Sequence, residues 1–120
     1  MDPKNEQINI LVKALLPSEL FDYFEIVKIE MDEASIDVHL DELNQPPKEY
    51  AAEKLISKGF REATVIQDFP IRERAVYLHV RQRKWQVEST AKVVSKDWDL
   101  AAEGTRYTKG FATFLKELLG

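Results

Sequence analysis

The stretch from Asp68 to Trp85, DFPIRERAVYLHVRQRKW, restricts the chain more than any other. From Val76 to Val80 apolar and polar residues alternate: Val76, Leu78 and Val80 point one way, Tyr77 and His79 the other. A β-strand has a side-chain period of two, so this spacing predicts a strand with one face on a core and one in solvent. Continued outward, the solvent register collects Tyr77, His79, Arg81, Arg83 and Trp85. Residues 63–69 predict the outgoing strand of a hairpin, 70–74 its turn and 75–86 its return. Between Arg72 and Lys84 lie five Lys/Arg (Arg72, Arg74, Arg81, Arg83, Lys84) and one acid, Glu73, in a chain whose formal net charge is −4.

That charge is unevenly placed. Residues 1–50 carry four Lys/Arg and twelve Asp/Glu, whereas residues 51–120 carry thirteen and nine. Two readings follow: a polyanionic partner for the basic half, or attraction between the halves within one compact domain. At 120 residues, 44% apolar and 32% charged, the chain is long enough for its own core and has the composition of a globular domain. We expect one domain: a helical part over 1–24, a β-hairpin core over 25–98 and a C-terminal helix over 105–119. No apolar run approaches a membrane span, and MDPKNEQ is no secretory leader, so the expected compartment is the cytoplasm. With no cysteine, neither a disulfide framework nor a thiolate zinc site can form.

The remaining elements follow from periodicity. Over 4–16, Ile8, Leu11, Val12, Leu15 and Leu16 have amphipathic helical spacing, ended by Pro17. This face reads as core packing or as a dimerisation surface. Ser18 is a candidate N-cap for a short helix bearing Leu20, Phe21 and Phe24. Residues 25–32 and 35–41 alternate, with Val27, Ile29 and Met31, then Ile36, Val38 and Leu40, as the inward sets; the link between them has hairpin length. His39, between Asp37 and Asp41, reads as part of a solvated face, since a metal site there would need help from another strand. Pro46 and Pro47 mark a loop, 48–57 predicts a short helix or an extended loop, and Gly59 a left-handed stop. Lys92 to Trp98 predicts a further strand. Thr105 or Thr108 would cap a last helix whose apolar side is Phe111, Phe114, Leu115 and Leu118. The expected fold class is α+β, a small antiparallel sheet of two hairpins flanked by N- and C-terminal helices.

Motifs for catalysis are missing. There is no glycine-rich phosphate loop, no HExxH and no GxSxG, and the two histidines are scattered. Acid pairs such as Asp97 and Asp99 stand out in no way. We therefore expect no enzyme, no cofactor and no bound metal. The basic hairpin offers more. A two-stranded ribbon fits the major groove of DNA, and arginine serves phosphate and guanine contacts. Tyr77, His79 and Trp85 on the same ribbon would suit stacking on unpaired bases. A solvated strand protected by charge is the plainer alternative.

TVIQDFPIRERAVYLHVRQRKW resembles the N-terminal region of DDE-type insertion-sequence transposases of the ISAon type. The shared pattern is a strand ending in Asp68-Phe69-Pro70, a tight turn at Arg72 to Arg74, an alternating strand over Val76 to Val80, and Arg81-Gln82-Arg83-Lys84-Trp85. LPSELFDYFEIVKIE (16–30), LDELNQPP (40–47) and SKGF (57–60) resemble that group too, so the likeness spans roughly Leu15 to Leu119. In the wider family this region is a zinc ribbon followed by a helix-turn-helix and a catalytic domain. Here every ligand cysteine is missing, the turn lacks the usual glycines, and no DDE domain is present. The resemblance implies a degenerate, metal-free relative of the ribbon: an accessory or split region that contacts transposon-end DNA without cutting it. Expected partners are that DNA, a separate catalytic transposase chain and a second copy of this chain. The candidate DNA-binding residues are Arg72, Arg74, Tyr77, His79, Arg81, Arg83, Lys84 and Trp85. Lys58, Arg61, Arg106 and Lys109 would extend the surface.

Overall fold

The computed structural model describes residues 3–98 and 109–120. The fold is α+β, built on two hairpins as the alternation predicts. Strands β1 (Phe24–Met31) and β2 (Ser35–Glu42) form the first; β4 (Thr64–Ile71) and β5 (Arg74–Arg81) form the second. Between them lie a 3-10 turn at Lys48–Tyr50 and β3 (Leu55–Phe60), and β6 (Arg83–Val87) and β7 (Val93–Val94) follow. Helices α1 (Pro3–Leu15), α2 (Leu20–Tyr23) and α3 (Lys109–Leu119) flank the strands.

The hairpins merge into one four-stranded sheet in the order β1-β2-β5-β4. The seam is a parallel β2–β5 pairing that runs from Ser35↔Ala75 to Asp41↔Arg81. It brings the inward sets of both hairpins to the same face: Val38, Leu40, Val76, Leu78 and Val80 are all buried. Leu20, Phe24 and Trp98 close over that face with Phe111, Phe114, Leu115 and Leu118 of α3. The apolar side expected for the last helix is thus the buried one. The proposed capping residues, Thr105 and Thr108, and the link at 99–104 lie outside the described residues.

A second, three-stranded sheet, β3-β6-β7, has its own small core of Trp85, Val87 and Val94, backed by Tyr50 and Leu55. The expected single return strand over 75–86 is therefore divided. It runs in the large sheet as far as Arg81, passes through Gln82, and enters the small sheet at Arg83.

Four local expectations change. In β1 the register shifts between Ile26 and Lys28, which turns Val27 outward and lets Ile26 and Ile29 both reach the core. Ser18 caps no helix: its hydroxyl bonds the Glu19 carboxylate, and the α2 turn is held by backbone bonds from Leu20 and Phe21 to Pro17 and Ser18. The segment 48–57 makes a single 3-10 turn and then a strand, because Leu55 packs in the small core and pairs with Val87. Gly59 is left-handed (φ 81°), but within a strand irregularity and not at a helix end. The 72–73 turn is tight, with φ of 50° at Arg72 and 69° at Glu73, a geometry usually given to Asn or Gly.

Helix α1 departs most from core packing. Ile10, Leu11 and Leu15 are 63%, 66% and 61% exposed; of its expected apolar side, Val12, half-buried, and Leu16 just beyond the helix reach the core, and the side chain of Ile8 lies outside the described set. Among the described residues no helix is long and apolar enough to cross a membrane.

Candidate nucleic-acid interface

Strand β5 is interior, flanked by β2 and β4, so the second hairpin is not a free ribbon. Its outer face meets the acidic outer face of β2 residue by residue: Tyr77 lies beside Asp37, His79 beside His39, and Arg81 beside Asp41. The Arg81 guanidinium grips the Asp41 carboxylate with two bonds, Nε to Oδ1 at 2.7 Å and Nη2 to Oδ2 at 2.6 Å. A bidentate pair of this kind is the strong form of the interaction, and it uses the donors a phosphate would need. His79 Nε2 bonds Asp37 Oδ1 at 2.7 Å, and His39 Nε2 bonds Glu30 Oε1 at 2.8 Å. The two imidazoles stack, with centroids 4.5 Å apart. The His79 hydrogen bond holds the Asp37 carboxyl below its usual range; the His39 bond, then Lys28, does the same for Glu30.

The other candidates are distributed as follows. Arg74 Nε donates to the Asp32 carbonyl at 2.7 Å and so ties the two hairpin turns together. Arg83 donates its backbone N–H to Glu42 Oε1 (2.8 Å) and its Nε to the Glu42 carbonyl (2.7 Å). Arg81 and Arg83 both place their guanidinium over the Phe60 ring, at 4.2 and 4.6 Å from its centroid. Trp85 is a correction to the ribbon reading. Alternation breaks where the strand changes sheets, so Trp85 points into the small core, with Nε1 donating to Asn44 Oδ1 at 3.2 Å. Tyr77 is half-buried on the sheet face. Arg72, at the turn, and Lys84, on β6, have no acidic partner among the described residues. Of the extending residues, Arg106 and the side chain of Lys109 lie outside that set, Lys58 is exposed without an acidic partner, and exposed Arg61 bonds Ser95 Oγ through Nε at 2.7 Å.

Positive charge is concentrated elsewhere than expected. Segments 54–61 and 82–96, which build the small sheet, hold seven Lys/Arg against one acid, Glu88. The β1–β2 hairpin, 24–42, holds seven acids against Lys28. The chain therefore divides its charge between its two sheets, and the cationic surface is the smaller one.

Where they join, Glu42 is buried. One carboxylate oxygen accepts the Arg83 N–H, and the other has no partner among the described residues. Burial raises its pKa despite the Arg83 bond and the nearby Lys96 ammonium. Burial lowers that of Lys96, which sits over the Tyr23 and Trp98 rings at 5.1 and 5.2 Å. Sequence reading did not single out either residue. No cluster of three or more metal-ligating side chains is present among the described residues. Comparisons with protein-family models, curated proteins and solved structures found no match.

Proposed function

We propose that this chain is a non-catalytic, cytoplasmic N-terminal region of an insertion-sequence transposase that binds transposon-end DNA. The resemblance across Leu15 to Leu119 supports the family reading. The observation that carries DNA binding is the charge separation: segments 54–61 and 82–96, which build the small sheet, carry seven Lys/Arg and one acid, whereas the β1–β2 hairpin carries seven acids and one lysine. Such a surface attracts a polyanion and releases its counterions on binding. The test is an anisotropy titration of the inverted-repeat end of the flanking mobile element beside a scrambled duplex. At about 50 and about 200 mM salt, affinity should fall with a slope near 0.9 per neutralised phosphate. The repeat should bind more tightly than the scrambled duplex. If neither duplex binds at the lower salt, this reading is wrong.

The exposure of Ile10, Leu11 and Leu15 favours a second reading, an interaction or dimerisation module. Sedimentation velocity over a concentration series should then show a dimer that Leu11→Lys/Leu15→Lys abolishes. Both side chains are exposed, so the fold should survive the change. A monomer at every concentration would sink the homodimer.

A further inference from the structure

The outer face of the small sheet contains an arrangement that the charge count alone does not reveal. Between the pairs Ser57↔Trp85 and Phe60↔Arg83, two residues of β3, Lys58 and Gly59, oppose one of β6, Lys84. This two-against-one count is that of a β-bulge, and it places Lys58 and Lys84 on neighbouring strands within the same irregular stretch. Side chains directly opposite in an antiparallel pair lie about 5 Å apart at Cβ, where like charges destabilise the sheet. Neither lysine has an acidic partner among the described residues. Lys54, by contrast, is paired with Glu88 at 3.3 Å.

The next position adds a third cation. Arg61 donates its backbone N–H to the Gln82 carbonyl (2.7 Å), and alternation beyond Phe60↔Arg83 puts its side chain on the face of Lys84. Its bond to Ser95 engages Nε alone, which leaves the rest of the guanidinium fork for another acceptor. The face is uncovered: Ile56 and Val93, both aligned with Gln86 in the adjoining row, are 42% and 52% exposed. At Gly59 nothing lies within 4 Å of where a Cβ would stand, so a ligand can approach the main chain closely. A bulge also interrupts the ladder and re-aims side chains, which is why such irregularities recur at binding sites.

We infer that the outer face of the three-stranded sheet, centred on Lys58 and Lys84 at the β3 bulge with Arg61 beside them, receives the sugar-phosphate backbone of duplex DNA. The inference rests on the DNA-binding reading above and assigns its contact surface. A phosphate between the two ammonium groups turns their repulsion into two attractions, and Arg61 supplies directed donors to a neighbouring phosphate. Contacts of this kind fix position on the duplex and do not read bases.

The experiment measures anisotropy of a labelled inverted-repeat duplex over a salt series with the full chain, Lys58→Gln/Lys84→Gln, Lys58→Arg/Lys84→Arg, and the charge-matched control Lys13→Gln/Lys28→Gln. Circular dichroism verifies folding of each. The glutamine pair should bind at least tenfold more weakly at low salt, with a salt slope smaller by about 2. The arginine pair and the control should stay within about twofold of the parent, by the same counting of phosphate contacts. If the parent binds and the glutamine pair matches it, the bulge is not the contact and DNA binding itself stands. If the glutamine pair and the control weaken alike, only net charge matters and the assignment is overturned. If the parent binds neither repeat nor scrambled duplex, both the assignment and the reading beneath it fail.

Discussion

Trp85→Ala is expected to cost about 3–5 kcal/mol, the range for deleting a large buried aromatic side chain. Against a total of about 5–15 kcal/mol for a typical domain, that is a large fraction of the stability. The reason is the size of the small core. Trp85 packs with only two other fully buried apolar residues, Val87 and Val94, and with Tyr50 and Leu55 at its edge. Urea denaturation followed by far-UV circular dichroism measures the loss. Trp85→Phe, which keeps most of the volume and loses the bond to Asn44, should retain more than half of the difference. A loss below about 1 kcal/mol for the alanine variant would mean that this side chain is not packed as described.

Glu42 should give the second large effect, with a sign that depends on the replacement. Glu42→Ala removes the acceptor of the Arg83 N–H and the charge facing Lys96, and is expected to cost about 2–3 kcal/mol. Glu42→Gln keeps an acceptor and removes a buried charge, so at neutral pH it should be neutral or stabilising. The pH dependence follows from linkage. Burial raises the Glu42 pKa in the folded state above its ordinary 4.5, so the folded protein holds that proton more tightly than the unfolded chain. The associated stability is fully present below 4.5 and is lost as pH rises through the folded value. Asp32, Asp37 and Glu30 act in the opposite sense: their pKa values are lowered, so their contribution is present above the usual carboxylate range and is lost on acidification. Melting temperatures of the parent and Glu42→Gln should therefore diverge as pH rises above 4.5, with the glutamine variant ahead. Parallel curves over that window would show that Glu42 is not protonated preferentially in the fold.

Much of the large sheet was legible in the chain. Strict alternation at 35–41 and 76–80 identified Val38, Leu40, Val76, Leu78 and Val80, and helical spacing identified Phe111, Phe114, Leu115 and Leu118; all are buried. The parallel seam was not legible, because alternation fixes the faces of a strand and not its neighbours. That omission changed the reading of the candidate site. Arg81 and His79 look available on an isolated ribbon, but β2 brings Asp41 and Asp37 to meet them from 40 and 42 residues away. The acidic N-terminal half was the available signal, and mutual neutralisation accounts for part of it. Extending one alternation across Gln82 misplaces Trp85, because the strand changes sheets there. The bulge at Lys58-Gly59 had a signal too: an isolated glycine in a short apolar-polar run marks a bulge as readily as a helix end. Leu55 and Phe60 on either side were too few to establish the strand period.

The parallel seam also sets an order of assembly. Each hairpin closes over a short link and can form early, whereas β2 and β5 must meet across the whole segment 43–73. Closing that loop is the entropically demanding event, and sheets with such distant pairings form slowly. Strand β3 precedes β4 and β6 follows β5, and the Arg61–Gln82 bond and the Phe60↔Arg83 pair continue the ladder beyond Thr64↔Val80, so closing the second hairpin already brings these two partners together. The cationic sheet is thus an extension of the second hairpin, and its β3–β6 pairing does not depend on closing the 43–73 loop.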